Sequence, residues 1–152
     1  MAINLDVSSG FCSPDEIQSL REAAEATLRH ESVSGHAVVS IVISDNDDIQ
    51  ALNRQFRHID VPTDVLAFPA EFSDPESGVP YLGDVIISYP RAQAQATARG
   101  HAVDAELQLL TVHGILHLLG YDHAEPGQKL RMWATQADIL DQLGLGHVAP
   151  SE

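Results

Sequence analysis

Disulfide bonds, membrane spans and secretory leaders find no support in this sequence. The single cysteine, Cys12, has no partner for an internal disulfide, so folding does not need an oxidising compartment. No apolar run approaches the roughly 18 residues of a membrane span. The first residues lack the basic and apolar regions of a signal peptide. We therefore expect a cytoplasmic protein that does not contact a membrane.

Positive charge is also scarce. The chain has 8 Lys and Arg residues against 22 Asp and Glu residues, which gives a net charge of −14. Such a surface repels polyanions at long range and argues against a non-specific DNA-binding protein. It does not exclude a local pocket that acts on RNA, because physiological salt screens charges beyond about 8 Å.

The length and hydrophobic pattern predict one α+β (mixed α/β) domain over residues 1–143, followed by a loosely held tail over 144–152. We expect a small four-stranded mixed sheet packed with about five helices around a buried central helix. The predicted strands cover 3–7, 38–43, 64–68 and 83–88. The predicted helices cover 14–30, 89–99, 103–119 and 126–143, with a further helix capped at Ser44 and Asp45.

Some predictions concern burial. The helix over 103–119 is apolar on every side, which is typical of a central helix. The strand over 38–43 is expected to be buried on both faces. Pro69 is expected to end the strand over 64–68, which leaves 70–80 as a loop. In the last helix the predicted inward residues are Leu130, Trp133, Ala137 and Leu140.

Three of the eight histidines fall within residues 113–123, HGILHLLGYDH. His113 and His117 are four positions apart on the predicted helix, which places their Cβ atoms about 5–6 Å apart on one face. Gly120 allows a sharp turn that can bring His123 back as a third ligand. Three histidines leave a fourth tetrahedral position open, as in catalytic zinc sites. Hydrogen-bonded core histidines are the alternative, and the spacing favours a metal.

The same spacing is the layout of metzincin proteases with one change. Those proteases carry glutamate directly after the first histidine as the general base, and here that position is Gly114. The metal scaffold is present, whereas the proton acceptor for peptide hydrolysis is missing.

Four segments together resemble the YbeY endoribonucleases, bacterial ribosomal RNA maturation factors. Residues 113–123 match that family's H-G-x-L-H-L-x-G-Y-D-H at every fixed position. Residues 52–57 (LNRQFR), 62–68 (PTDVLAF) and 82–88 (LGDVIIS) resemble three further family patterns. The departures are small: Ala67 stands where serine is usual, and Trp133 where phenylalanine is common.

The resemblance implies a single-strand-specific, zinc-dependent endoribonuclease of small-subunit (16S) rRNA 3′ end maturation and ribosome quality control. It implies one Zn²⁺ per chain held by His113, His117 and His123, and a functional arginine at Arg57. The implied partners are single-stranded rRNA and the small ribosomal subunit or its assembly factors, with no DNA. The alternatives are a zinc metallopeptidase-like hydrolase and an assembly factor with a structural zinc.

The remaining candidates each have a second interpretation. From spacing alone Arg57 is a surface ion pair with Asp60 or Asp64; the resemblance makes it the phosphate-binding residue. Attack by zinc-activated water and attack by the RNA 2′-hydroxyl are both open.

Four further residues are candidates to support the metal or contact the substrate. Asp122 either orients a ligand imidazole or stabilises a turn. Asp64 and Asp84 are supporting groups, general bases or caps, and Tyr121 stacks a base or packs in the core. Glu106 is expected at a solvated helix start, with contact to the metal-bound water as the alternative, and His101 is expected on the surface.

Overall fold

The computed structural model describes residues 2–7, 11–33, 37–61, 63–73, 80–146 and 148. The elements in chain order are β1 (Ala2–Val7), α1 (Pro14–His30), β2 (Val38–Ser44), α2 (Asn46–Arg57), β3 (Val65–Ser73), β4 (Pro80–Ser88), α3 (Tyr89–Arg99), α4 (Val103–Leu118) and α5 (Pro126–Gln142). The α+β class and the five helices agree with the prediction. Within these residues no helix has the length and apolar character to cross a membrane.

The sheet is mixed, with the strand order β1-β2-β4-β3. β1 and β2 run parallel, as do β2 and β4, whereas β3 pairs with β4 in the antiparallel direction. β3 therefore occupies one edge of the sheet, next to the strand that lies against α4.

Local chemistry sets the helix ends near the predicted positions. Ser13 and Glu16 form a capping box at the start of α1, in which each side chain accepts a hydrogen bond from the other's backbone amide. The Asp45 side chain accepts from the Asp48 amide at the start of α2. Gly100 ends α3 in the left-handed conformation that glycine adopts most easily.

α4 is the buried central helix that the sequence predicts. It contacts α1, α3, α5, β3 and β4. One side of it packs on the sheet, where Leu107 and Ile115 join Ile41 and Val85 in one core cluster. The other side packs against α5 in a second cluster, which consists mainly of residues from α1, α4 and α5. The position and orientation of α4 are therefore fixed from several directions.

Gly114 allows α4 to approach the sheet closely. A Cβ atom at this position would lie 2.5 Å from Val85 Cγ1 and 3.4 Å from Val65 Cγ2. Both neighbours belong to the sheet, so a side chain at Gly114 would push the helix away from β4. The glycine is thus a packing requirement.

We expect Gly114→Ala to destabilise the protein by about 1–3 kcal/mol, the usual cost of overpacking a filled core. Gly127→Ala is the matched control, because Gly127 is also helical and a Cβ there meets no atom of the described residues within 4 Å. Denaturant unfolding should show a loss for the first variant and no loss for the second. Equal stabilities for the two variants would contradict the close approach.

The predicted end of the third strand at Pro69 is wrong. β3 continues to Ser73 and β4 begins at Pro80, so only 74–79, which lie outside the described residues, are left of the predicted loop. Pro69 is tolerated because β3 is an edge strand and because the pairing shifts register between Pro69 and Phe72. A missing backbone N–H costs little at such a position.

The predicted inward face of α5 is wrong at two residues. Leu130 is 73% exposed and Ala137 is also exposed, while Trp133 is only partly buried. The helical periodicity is compatible with more than one inward-facing row of residues on α5. The buried row contains the polar Gln136, so in the sequence it resembles a solvent-exposed row. The buried residues of α5 are Met132, Gln136, Ile139 and Leu140.

Two smaller predictions also need correction. β2 is not fully buried on both faces, because its residues alternate between buried and half-buried. The expected loose tail is packed at least at Val148, which is 4% exposed within the α4–α5 cluster. Burial of the apolar Val148 side chain is favourable, which stabilises this packed position.

Candidate metal centre

Three histidines meet at the C-terminal end of α4. His113 and His117 lie one turn apart on the helix, and His123 follows in the next loop. Gly120, with φ of +101°, turns the chain between them. One ligand atom from each ring lies within 4.8 Å of the other two. The predicted convergence of the three imidazoles is confirmed.

The donor set and spacing fit a divalent ion of the zinc type. Two nitrogens bound tetrahedrally at about 2.0–2.1 Å from zinc are roughly 3.4 Å apart. Ligand atoms at most 4.8 Å apart therefore need only small ring movements to close on one ion. The ring centroids lie 4.9, 5.0 and 5.5 Å apart, so no side chain separates them.

α5 supplies two neighbours of this cluster that the sequence did not predict. Gln136 Oε1 lies 3.0 Å from His113 Nδ1. The Trp133 ring makes edge contacts with His113 and His123, with centroids 5.7 and 5.5 Å away. The sequence did contain a signal for the position of Gln136: it lies at helical spacing from the apolar residues Met132 and Ile139, which places it on their face of the helix.

The surroundings keep two of the imidazoles neutral. Burial lowers the pKa of His113 below its usual value, and the hydrogen bond with Gln136 opposes this shift. Burial lowers the pKa of His117 to about 4, and the neighbouring imidazoles add to the effect. A neutral ring retains the lone pair that a metal requires.

These pKa shifts predict how metal-free protein responds to acid. Between pH 6.5 and 4 the unfolded chain binds a proton at His117 that the folded chain does not bind. The free energy of unfolding should therefore decrease as the pH falls through this window. Denaturant unfolding of His117→Gln in chelator should show a smaller decrease than the unsubstituted protein. Identical pH slopes for the two proteins would contradict the shift.

The histidines open into a cavity of about 790 Å³. α2, β3, α4 and the loop after α4 form its walls. Asp84 is not among the described residues that line it. The predicted site residues that line this cavity are Arg57, Asp64, His113, His117, Tyr121, Asp122 and His123.

Arg57 is exposed at the end of α2 and lines the cavity. Its Nη2 donates to the Ala67 carbonyl oxygen at 3.3 Å. Asp60 instead lies 3.9 Å from Arg54, and Arg57 forms no ion pair within the described part of the chain. The contact explains why alanine suffices at position 67, since the backbone oxygen is the acceptor. The charge of Arg57 thus remains available to an anion in the cavity.

The two aspartates of the cavity accept hydrogen bonds from groups other than the imidazole rings. Asp64 accepts from Gln95 Nε2 at 3.3 Å. Asp122 accepts from the His123 backbone amide at 2.7 Å, and this bond lowers the pKa of Asp122. Asp122 therefore holds the backbone of His123 in the turn. No described hydrogen bond joins the Asp122 carboxylate to an imidazole ring.

Tyr121 and Asp84 have partners outside the histidine cluster. Tyr121 packs against the α4–α5 core, and a hydrogen bond to the Glu31 carboxylate raises the pKa of its hydroxyl. Asp84 accepts a hydrogen bond from Tyr81 on β4. These contacts favour packing for Tyr121 and place Asp84 away from the cavity.

Glu106 and His101 are not solvated, which contradicts the sequence-based expectation for each residue. Glu106 is fully buried rather than solvated, and both its oxygens accept from Arg99 Nη1 at 3.0 and 3.1 Å. His101 Nε2 lies 2.7 Å from the same carboxylate and is also largely buried. Paired charges satisfy each other in the interior, whereas the sequence pattern suggested only a polar helix start.

The described fold and its donor set define a class: a small α+β protein with a candidate three-histidine metal centre in an open cavity. A family model described as Endoribonuclease YbeY matches residues 8–144. The chain therefore belongs to the YbeY endoribonuclease family, and the resemblance seen in the sequence is confirmed.

Individual relatives carry the same name. An Endoribonuclease YbeY of Roseiflexus sp. (strain RS-1) is 44% identical over 149 residues, covering 94% of this chain and 93% of its own length. One of Geobacillus kaustophilus (strain HTA426) is 40% identical over 154 residues, covering 95% and 99%. A solution structure of a Thermotoga maritima protein covers 99% of both chains with a TM-score of 0.57 at 24% identity, which supports the fold.

Proposed function

We propose that this protein is a single-strand-specific, zinc-dependent endoribonuclease that acts in the cytoplasm. Its proposed role is 3′ end maturation of small-subunit (16S) ribosomal RNA and ribosome quality control. Family membership supports ribonuclease activity in rRNA processing. The observation that carries the proposal is that three imidazoles line the same cavity as Arg57, which has no ion-pair partner among the described residues. Residues 1–143 are proposed to form the catalytic domain.

The proposed ligands of one zinc ion are His113, His117 and His123. When bound there, zinc would supply Lewis-acid chemistry. The protein's own contribution is geometric: α4 fixes two rings, and the Gly120 turn returns the third. Burial keeps His113 and His117 in the neutral form that binds a cation.

Arg57 is proposed to hold the scissile phosphate. Its planar guanidinium suits two phosphate oxygens, and it stabilises negative charge that develops as the bond breaks. The hydrogen bond to the Ala67 carbonyl uses one end of the group and orients the rest. Among the described residues, Arg57 and Arg99 are the only arginines that line the cavity, and Arg99 is paired with Glu106.

The shape and charge of the protein bear on the choice of RNA. A cavity of about 790 Å³ falls in the size range of small-ligand sites, so an unpaired nucleotide can enter it. RNA enzymes and binding proteins reach bases most easily where strands are unpaired. The net charge of −14 opposes tight binding of free RNA. We therefore propose that the small ribosomal subunit or an assembly factor presents the substrate.

The peptidase alternative receives no support from the position of Gly114. This residue packs against Val85, so a glutamate could not be accommodated there as the base of a metzincin mechanism without moving α4. A structural zinc is opposed by the open cavity beside the three rings, because closed structural sites use four protein ligands.

The test compares RNA cleavage with and without a chelator. We expect the zinc-loaded protein to cut a single-stranded RNA, to leave the same sequence intact in a duplex, and to leave casein uncut. A chelator should stop cleavage, and added zinc should restore it. Peptide cleavage would support the peptidase. Loss of folding on chelation without any RNA cleavage would support a structural zinc and would contradict the proposal.

A further inference from the structure

Gln136 is a buried amide in an apolar part of the core. It is 0% exposed and lies on the face of α5 that also carries Met132 and Ile139. Its Oε1 lies 3.0 Å from His113 Nδ1. Its Nε2 is buried and has no hydrogen-bond partner among the described residues. An apolar side chain would avoid the unsatisfied Nε2, but it would leave His113 Nδ1 without this hydrogen-bond partner.

The contact with His113 accounts for the amide. Imidazole Nδ1 must carry the proton to donate to the Gln136 oxygen, which leaves the lone pair on Nε2. If the amide were turned over, its NH₂ group would donate to Nδ1, and the ring proton would move to Nε2. A metal could then bind neither nitrogen of His113. The orientation of one side chain on α5 therefore decides whether a ring on α4 can act as a ligand.

We infer that Gln136 is a positioning residue that fixes the metal-binding tautomer and the ring orientation of His113. This inference rests on the proposed metal centre and adds a residue from a second helix to it. It also explains why α5 buries a polar residue in its inward stripe. Groups that hydrogen-bond to metal-binding histidines typically change metal affinity about 10–100-fold when they are removed.

The first experiment measures zinc affinity by competition with a chromogenic chelator. Gln136→Met keeps the approximate volume and removes the acceptor, so we expect zinc affinity to fall about 10–100-fold. Gln136→Glu keeps an acceptor oxygen toward Nδ1, so its affinity should stay within a few-fold of the unsubstituted protein. Gln108→Met is the matched control: Gln108 is also buried, but its amide bonds to Asp104. Its zinc affinity should not change.

The second experiment reads the tautomer directly by nitrogen NMR of His113 in metal-free protein. We expect the proton on Nδ1 in the unsubstituted protein and a mixture of tautomers in Gln136→Met. A proton on Nε2 in the unsubstituted protein would overturn the inference, and this result does not depend on any variant folding. Unchanged zinc affinity in folded Gln136→Met would also overturn it.

These measurements separate the inference from the proposed function. If the protein binds zinc with the expected Gln136 dependence but cuts no RNA, the nuclease proposal fails and the role of Gln136 stands. If RNA is cut and Gln136→Met binds zinc as tightly as Gln136→Glu and the unsubstituted protein do, the role of Gln136 is wrong and the nuclease proposal stands.

Discussion

His117→Ala should lower RNA cleavage by more than about 100-fold and abolish tight zinc binding. Removal of a group that only orients a ligand already costs about 10–100-fold, so removal of a ligand should cost more. The centroid of the His117 ring lies 4.9 Å from that of His113 and 5.0 Å from that of His123, so His117 adjoins both other rings. Its loss leaves two of the three proposed protein ligands, whereas catalytic zinc sites use three.

The control for this prediction is His58→Asn. His58 ends α2 in the left-handed conformation, which asparagine also adopts, and it does not line the described cavity. This variant should bind zinc and remain folded like the unsubstituted protein. Zinc-to-protein ratios and cleavage rates should be measured on the same preparations. Full zinc occupancy in His117→Ala would contradict the proposed ligand set.

Arg57→Ala should reduce the rate of RNA cleavage by about 10²–10³-fold while leaving zinc affinity unchanged. This is the usual cost of removing one preorganised group that stabilises transition-state charge. Arg57→Lys should recover only part of the rate, because an ammonium cannot form the paired hydrogen bonds of a guanidinium. Single-turnover kinetics with excess enzyme would isolate the cleavage step.

Arg54→Ala is the matched control on the same helix. Arg54 precedes Arg57 by one turn, its side chain is 64% exposed, and it does not line the cavity. Its removal changes net charge by the same amount, so general electrostatic attraction of RNA is matched. If the two alanine variants cleaved RNA equally fast, the proposed role of Arg57 would be wrong.

The histidine cluster was predictable because its geometry is local. Spacing of four on a helix brings His113 and His117 together, and Gly120 signals the turn before His123. The three-ring convergence needs no knowledge of distant segments. The helix ends were predictable for the same reason, since each depends on residues within a few positions.

The parts of the site that the sequence did not predict depend on contacts between residues of different elements or of the turns that join them. Gln136 meets His113 across 23 residues, and its polarity made the true inward stripe of α5 look like a surface stripe. Glu106 appeared solvated because the sequence does not reveal that Arg99 and His101 fold over it. In both cases a buried polar side chain is explained by a partner that only the tertiary structure supplies.

The central claim is that three imidazoles hold one ion and leave one position open. X-ray absorption at the zinc edge of zinc-loaded protein tests it most directly, together with the zinc-to-protein ratio. The account predicts one zinc per chain, with three imidazole nitrogens at about 2.0–2.1 Å and one exchangeable oxygen. A fourth protein ligand, or fewer than three imidazoles on the ion, would contradict it.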